Sequence, residues 1–173
     1  MPTLTPHVAP AAPLWRRLKA RPIKTAGALL EHFDVRVPHV DVESMIEKLG
    51  INLLRVSEPG WRGAVRSERE TATIWIRRED SAGGQRFTMA HELGHLFLHN
   101  LTEAHRDTSD YMSSSIRMER QANRFAADLL MPFWMLDEYV MRNVPRSMLA
   151  QRFQVSEAAM EFRLREWAGE RGF

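Results

Sequence analysis

Five consecutive residues, His91-Glu92-Leu93-Gly94-His95, combine side-chain types and spacing that can do metal chemistry. On an α-helix, residues four apart stack on one face, so His91 and His95 can offer two imidazole nitrogens to a single ion. Glu92 is rotated from His91 by about 100° around the helix axis, which suits a carboxylate leaning over the ion's open side better than a ligand. This is the pattern of a zinc hydrolase, with two histidine ligands and a general base beside a water whose pKa the metal lowers to ~7.

Catalytic zinc takes three protein ligands and keeps one open position, so a further His, Asp or Glu is required. The metzincin pattern would need a glycine at 98 and a histidine at 101, where Leu98 and Leu101 stand. His99 continues the series of 91 and 95 but lies about 12 Å along the helix from the His91 turn, too far to share one ion. Its position suits a histidine capping the helix C-terminus, where the dipole favours the positive form. Glu103, Asp107 and Asp110 stay open as ligands. Glu119 is the strongest choice: Glu119, Ala122, Asn123, Ala126 and Leu130 share a helix face, and the alanines let that helix approach the first closely. Asn123 is then placed to hydrogen-bond the far nitrogen of His91 or His95. For Glu119 the plainer alternative is a solvated charge paired with Arg120 or Arg124.

The elements that must hold these residues can be read from pattern. A Pro-rich stretch to Pro13 and a short basic helix from Leu14 to about Lys19, limited by Pro22, form a flexible leader over residues 1–24. Helices are expected over Thr25–Phe33 and, with Asp41 as N-cap and Gly50 just past the end, over Val42–Leu49. Strands follow at Ile51–Val56, Gly63–Arg66 and Ala72–Arg77, the last rich in β-branched and aromatic residues. Gly83 and Gly84 break the chain before a motif helix from Arg86 to about His99, apolar around most of its circumference. Residues 100–115 read as a polar loop, and helices are expected over Ile116–Met131 and Phe133–Met141. A closing pair, Ser147–Phe153 and Ser156 to about Ala168, has the cadence of a helix-turn-helix. The second helix begins Glu157-Ala158-Ala159, where a DNA reader wants basic and amide side chains, so packing or substrate docking is favoured over DNA contact.

Composition bounds the rest. Hydrophobic residues make up 44% and charged residues 27% of 173, ordinary for a globular chain. Cysteine is absent, so any metal is held by His, Asp or Glu, and a cytoplasmic address is expected. Neither a signal peptide nor a membrane span is expected, because no run of about 18 apolar residues occurs. The net charge of +2 is unevenly spread. Residues 1–30 carry five of the 24 bases and no acid, leaving 19 bases against 22 acids, a charge of −3, for the remainder. Such an arm can meet nucleic acid, although five bases without interleaved aromatics fit a solvated leader better.

The stretch Arg86-Phe87-Thr88-Met89-Ala90-His91-Glu92-Leu93-Gly94-His95-Leu96-Phe97-Leu98-His99, with Glu119 to Pro132, resembles the ImmA/IrrE family of zinc-dependent metallopeptidases. The likeness extends upstream through Glu47-Lys48-Leu49-Gly50-Ile51 and Thr73-Ile74-Trp75-Ile76-Arg77, covering about residues 25–132. It implies one Zn2+ per chain held by His91, His95 and Glu119, with Glu92 as catalytic base. It also implies an endopeptidase whose protein substrate is a helix-turn-helix repressor or antitoxin. Glu92 would take a proton from water and pass it to the leaving amine while zinc acts as Lewis acid. His99, His105 and Tyr111 are the candidates for stabilising the oxyanion.

The expected fold is α+β: a small, mostly antiparallel sheet packed on the HExxH helix and the glutamate-bearing helix, zincin-like. The domain is expected over 25–142, with a helix-turn-helix-like segment over 143–173. The strand 72–77 is either a platform to which an extended substrate adds or a plain core strand. Two further functions compete: a binding module that sequesters a repressor or antitoxin without cutting it, and a DNA-binding regulator using the basic leader and terminal helices.

Overall fold

A computed structural model describes residues 12–21, 23–57, 60–99 and 110–172. Three helices lead: α1 (Leu14–Ala20), α2 (Ala26–His32) and α3 (Val42–Leu49). The strands are β1 (Asn52–Val56), β2 (Gly63–Glu68) and β3 (Thr71–Arg77). Five helices follow: α4 (Ala82–Leu98), α5 (Asp110–Leu130), α6 (Phe133–Met141), α7 (Arg146–Phe153) and α8 (Glu157–Arg171). The α+β class expected from the sequence is the one observed.

Local chemistry accounts for the element ends. The Asp41 carboxylate accepts from the Ser44 N–H at 3.0 Å, and Gly50 closes α3 in the left-handed region at φ 72°. In β3 the side chains alternate, so Ala72, Ile74 and Ile76 are buried while Thr73, Trp75 and Arg77 face the other way. The sheet has the order β1-β3-β2. β2 and β3 form an antiparallel hairpin turned at Arg69, whose φ is 46°, and β1 joins the far side of β3 in parallel. The sheet is therefore mixed where a mostly antiparallel one was expected. The segment after β1 skips one strand position before β2, which leaves β1 free to run alongside β3.

The motif helix begins earlier than glycine content suggested. Ser81 caps α4 by accepting from the Gly84 N–H at 3.2 Å, so Gly83 and Gly84 lie inside the first turn. The cap offsets part of the roughly 1 kcal/mol that each glycine costs a helix. α5 likewise starts at Asp110, six residues ahead of the expected Ile116, and the expected loop residues 100–109 lie outside the described ones.

One hydrophobic core joins all these layers. Leu29 and Leu49 from the leading helices, Ile74 and Ile76 from β3, Leu93 and Leu96 from α4 and Leu129 from α5 are fully buried within it. α1 of the expected leader puts Trp15 and Leu18 into the core, while Arg16, Arg17 and Arg21 stay exposed; residues 1–11 lie outside the described residues. Phe153 of α7 and Met160 of α8 are as deeply buried. α8 is tied to the end of α5 by Arg163, 1% exposed, which donates from Nε to the Met131 carbonyl at 2.8 Å, pairs with Asp128 and lies over the Phe133 ring at 3.9 Å. Among the described residues no helix is long and apolar enough to cross a membrane.

Candidate metal centre and active-site cleft

α4 and α5 pack along one another, and that contact builds the site. It needs Gly94: a Cβ there would stand 3.1 Å from both the Ala122 Cα and the Phe125 Cβ. With no side chain at Gly94 and only a methyl at Ala122, the helix axes come close enough for the Glu119 carboxylate to reach across. Its Oε2 stands 3.2 Å from His91 Nε2 and its Oε1 3.1 Å from His95 Nε2. The two imidazole Nε2 atoms are 3.0 Å apart. The donor atoms of His91, His95 and Glu119 all lie within 4.8 Å of one another. Arg124, the alternative partner considered for Glu119, is instead bound to Asp128 and Glu170.

The protonation pattern fits a divalent ion. His91 Nδ1 meets Asn123 Oδ1 at 2.9 Å. A carbonyl oxygen only accepts, so Nδ1 carries a proton, and it is Nε2 that faces the cluster. Burial, then the neighbouring His91, lowers the His95 pKa to about 4, which favours the neutral imidazole, the form a metal ion requires. Two imidazole nitrogens and a carboxylate facing one point are a donor set for a borderline metal ion.

Glu92 stands beside this cluster and is 6% exposed. Burial, and secondarily the charge of Glu119, pushes its carboxyl up to about 8. A carboxylate with that proton affinity can accept and return a proton near neutral pH. Gly63, the first residue of β2, lies directly over it, since a Cβ there would come 2.7 Å from Glu92 Oε1.

The other sequence candidates separate cleanly. His99 caps α4, and its Nε2–H donates to the Met118 carbonyl at 3.3 Å, so that nitrogen is not free to stabilise an oxyanion. Burial lowers its pKa, so desolvation overrides the dipole that was expected to favour the positive form. His105, Glu103 and Asp107, with the side chains of Asp110 and Tyr111, lie outside the described residues. β3 is the central strand, paired on both sides, and so is the core strand of the two alternatives. β1 and β2 each have an edge unpaired among the described residues, and of the two it is β2 whose Gly63, Ala64 and Val65 line a cleft of about 1140 Å³ that also contains the His91, His95 and Glu119 cluster.

Sequence reasoning missed the close approach at Gly63, although a signal existed, because a glycine opening a strand often marks close backbone approach. The closing helix pair, for which packing or substrate docking was expected, places Gln154, Val155 and Ser156 in the cleft lining.

A helix pair presenting two histidines, a carboxylate and an adjacent glutamate in an open cleft is a candidate metal centre of the kind a metallopeptidase needs. The chain belongs to the ImmA/IrrE family: residues 46–165, more than half of it, match the family model for the IrrE N-terminal-like domain, Peptidase M78. It is similar to the metallopeptidase ImmA of Bacillus subtilis (strain 168), at 26% identity over 104 residues, 59% of this chain and 62% of that protein. The chain thus spans less than two thirds of that relative's length. In fold it is similar to a Mycobacterium tuberculosis transcriptional regulator, with a TM-score of 0.57 at 18% identity over 84% of this chain and 45% of the other.

Proposed function

We propose that the chain is a zinc-dependent endopeptidase that hydrolyses a peptide bond in a protein substrate, with His91, His95 and Glu119 as metal ligands and Glu92 as general base. The observation that carries this reading is the convergence of the three donor groups, with Glu92 alongside, in a cleft bordered by an unpaired strand edge. A zinc ion held there would supply Lewis acidity toward the scissile carbonyl and toward water.

The remaining work falls to the chain's own groups. Asn123 holds the His91 ring in the ligating tautomer. Glu92 takes a proton from the attacking water and later delivers it to the leaving amine nitrogen, while its burial keeps the carboxylate basic enough to do so. An extended peptide adding to the free edge of β2 through main-chain hydrogen bonds would run past Glu92, because Gly63 brings that backbone over the carboxylate. The substrate class rests on family likeness: a helix-turn-helix repressor or antitoxin, met in the cytoplasm.

The test is incubation of the zinc-loaded chain with a helix-turn-helix regulator encoded beside it. Cleavage into two fragments is expected, and Glu92→Gln should abolish it while retaining about one zinc per chain. A Glu92→Gln chain that relieves repression as well as the unaltered one would mean that it acts by binding alone. A salt-dependent mobility shift on promoter DNA would instead favour a DNA-binding regulator.

A further inference from the structure

The cleft does not end at the histidines. From His95 it follows one face of α4 back through His91, Phe87 and Gly84. That is about 16 Å of helix, the span of about five extended residues. Away from Glu119 the lining gains apolar side chains: Phe87 of α4 and Met131 after α5 share it with Val155 and Ala159 of the α7–α8 turn and helix, beside the polar Gln154 and Ser156. Among the described lining residues outside the candidate centre, the one charged side chain is Arg62, exposed at the entry to β2.

The far wall is fastened to the helix that carries the chemistry. Arg86 of α4 donates from Nη1 to the carbonyls of Phe153 at 3.1 Å and Gln154 at 2.6 Å, and from Nη2 to that of Val40 at 2.9 Å. Gln154 turns the chain in the left-handed region at φ 53°, and its amide meets His39 Nδ1 at 3.1 Å. Ser156 then caps α8 by accepting from the Ala159 N–H at 3.1 Å. The turn is thus held at both its backbone and its side chains, with small Ala159 leaving space in front of it.

We infer that Phe87, Met131, Val155 and Ala159 form a side-chain subsite selecting substrates with a large apolar residue close to the scissile bond. The C-terminal helix pair is then a specificity wall. The inference rests on the peptidase reading and deepens it. The cleft is continuous from this wall to Glu92, and the free edge of β2 lies along it, so a peptide paired there turns alternate side chains toward α4 and the wall. A large apolar side chain gains from burial against these four residues. A lysine or arginine would lose hydration against these four apolar side chains, while the cleft's carboxyl groups, Glu92 and Glu119, belong to the proposed centre.

The test uses the full zinc-loaded chain carrying Glu92→Gln, so that peptides bind uncut. The probes are alanine-based decapeptides in which Phe, Leu, Gln or Lys occupies each position in turn, read by fluorescence anisotropy. At one position Phe and Leu should bind about tenfold tighter than Gln or Lys. Adding Ala159→Phe, which fills the space, or Val155→Asp, which charges the wall, should remove that preference. Affinities that all agree within about twofold, undetectable binding included, overturn the inference, as does a preference that survives both variants. If one variant loses its thermal transition, the other decides. The same peptides offered to the chain with Glu92 intact judge the peptidase reading separately. Selective binding without cleavage sinks that reading alone, and cleavage without apolar preference sinks the subsite alone.

Discussion

Gly63 of β2 and Glu92 of α4 touch across two layers of the fold: a Cβ on Gly63 would stand 2.7 Å from Glu92 Oε1 and closer still to Thr88 Cγ2. The edge strand and the proposed base are therefore set against each other by van der Waals contact, with no room for any side chain between them.

Gly63→Ala should displace either Glu92 or the strand. Cleavage is expected to fall by about a hundredfold with zinc content unchanged, as a misplacement of about 1 Å does. Stability should fall by about 1–3 kcal/mol through overpacking. Steady-state kinetics beside metal analysis reads both, and an unaltered rate would refute the role given to this contact.

Asn123→Ala removes the acceptor that holds His91 Nδ1–H at 2.9 Å. Metal affinity should drop by about 10- to 100-fold, the usual effect of losing a hydrogen bond behind a ligating histidine. Competition against a chelator of known affinity measures it. Equal affinity in variant and parent would mean that another group fixes the ring.

Gly94→Ala sets two effects against each other. Alanine favours the helix by about 1 kcal/mol over glycine. The new methyl meets the Ala122 Cα and the Phe125 Cβ at 3.1 Å, and neither atom can swing aside by a change of rotamer. Overpacking at about 1–3 kcal/mol should win. The expected result is a lowered melting temperature and a weakened zinc site, since Glu119 moves away with α5. A more stable variant would show that the helix pair separates at little cost.

Arg163→Met strips the Met131 carbonyl and Asp128 of a partner at a position 1% exposed. Asp128, 36% exposed, keeps Arg124, so the cost falls on the unpaired Met131 carbonyl, about 1–3 kcal/mol, readable as a shifted denaturant midpoint. A midpoint matching the parent's would place the stability of the C-terminal helices elsewhere.

Much of the centre was legible because its parts are local. His91, Glu92 and His95 share one helical turn, and Glu119 and Asn123 share the next helix, so period alone aligned them. Asp41 and Gly50 likewise marked the ends of α3 through side-chain and backbone rules acting within a few residues. What escaped was non-local. That β3 is central and β2 an edge depends on which strands pair, and no residue in either strand encodes it. The start of α4 was misjudged because two glycines were weighed without the cap that precedes them. The proposed subsite joins residues from α4, the end of α5 and α8 that meet only once the core has formed.

Arg86 sits about one and a half helical turns before His91 and holds the carbonyls of Phe153 and Gln154. The proposed reaction centre and the substrate-facing wall are thus both referenced to one rigid rod, α4. Exchanging the side chains at Val155 and Ala159 leaves those backbone anchors intact, so such a scaffold can change what it accepts while the distances among His91, His95, Glu119 and Glu92 stay as they are.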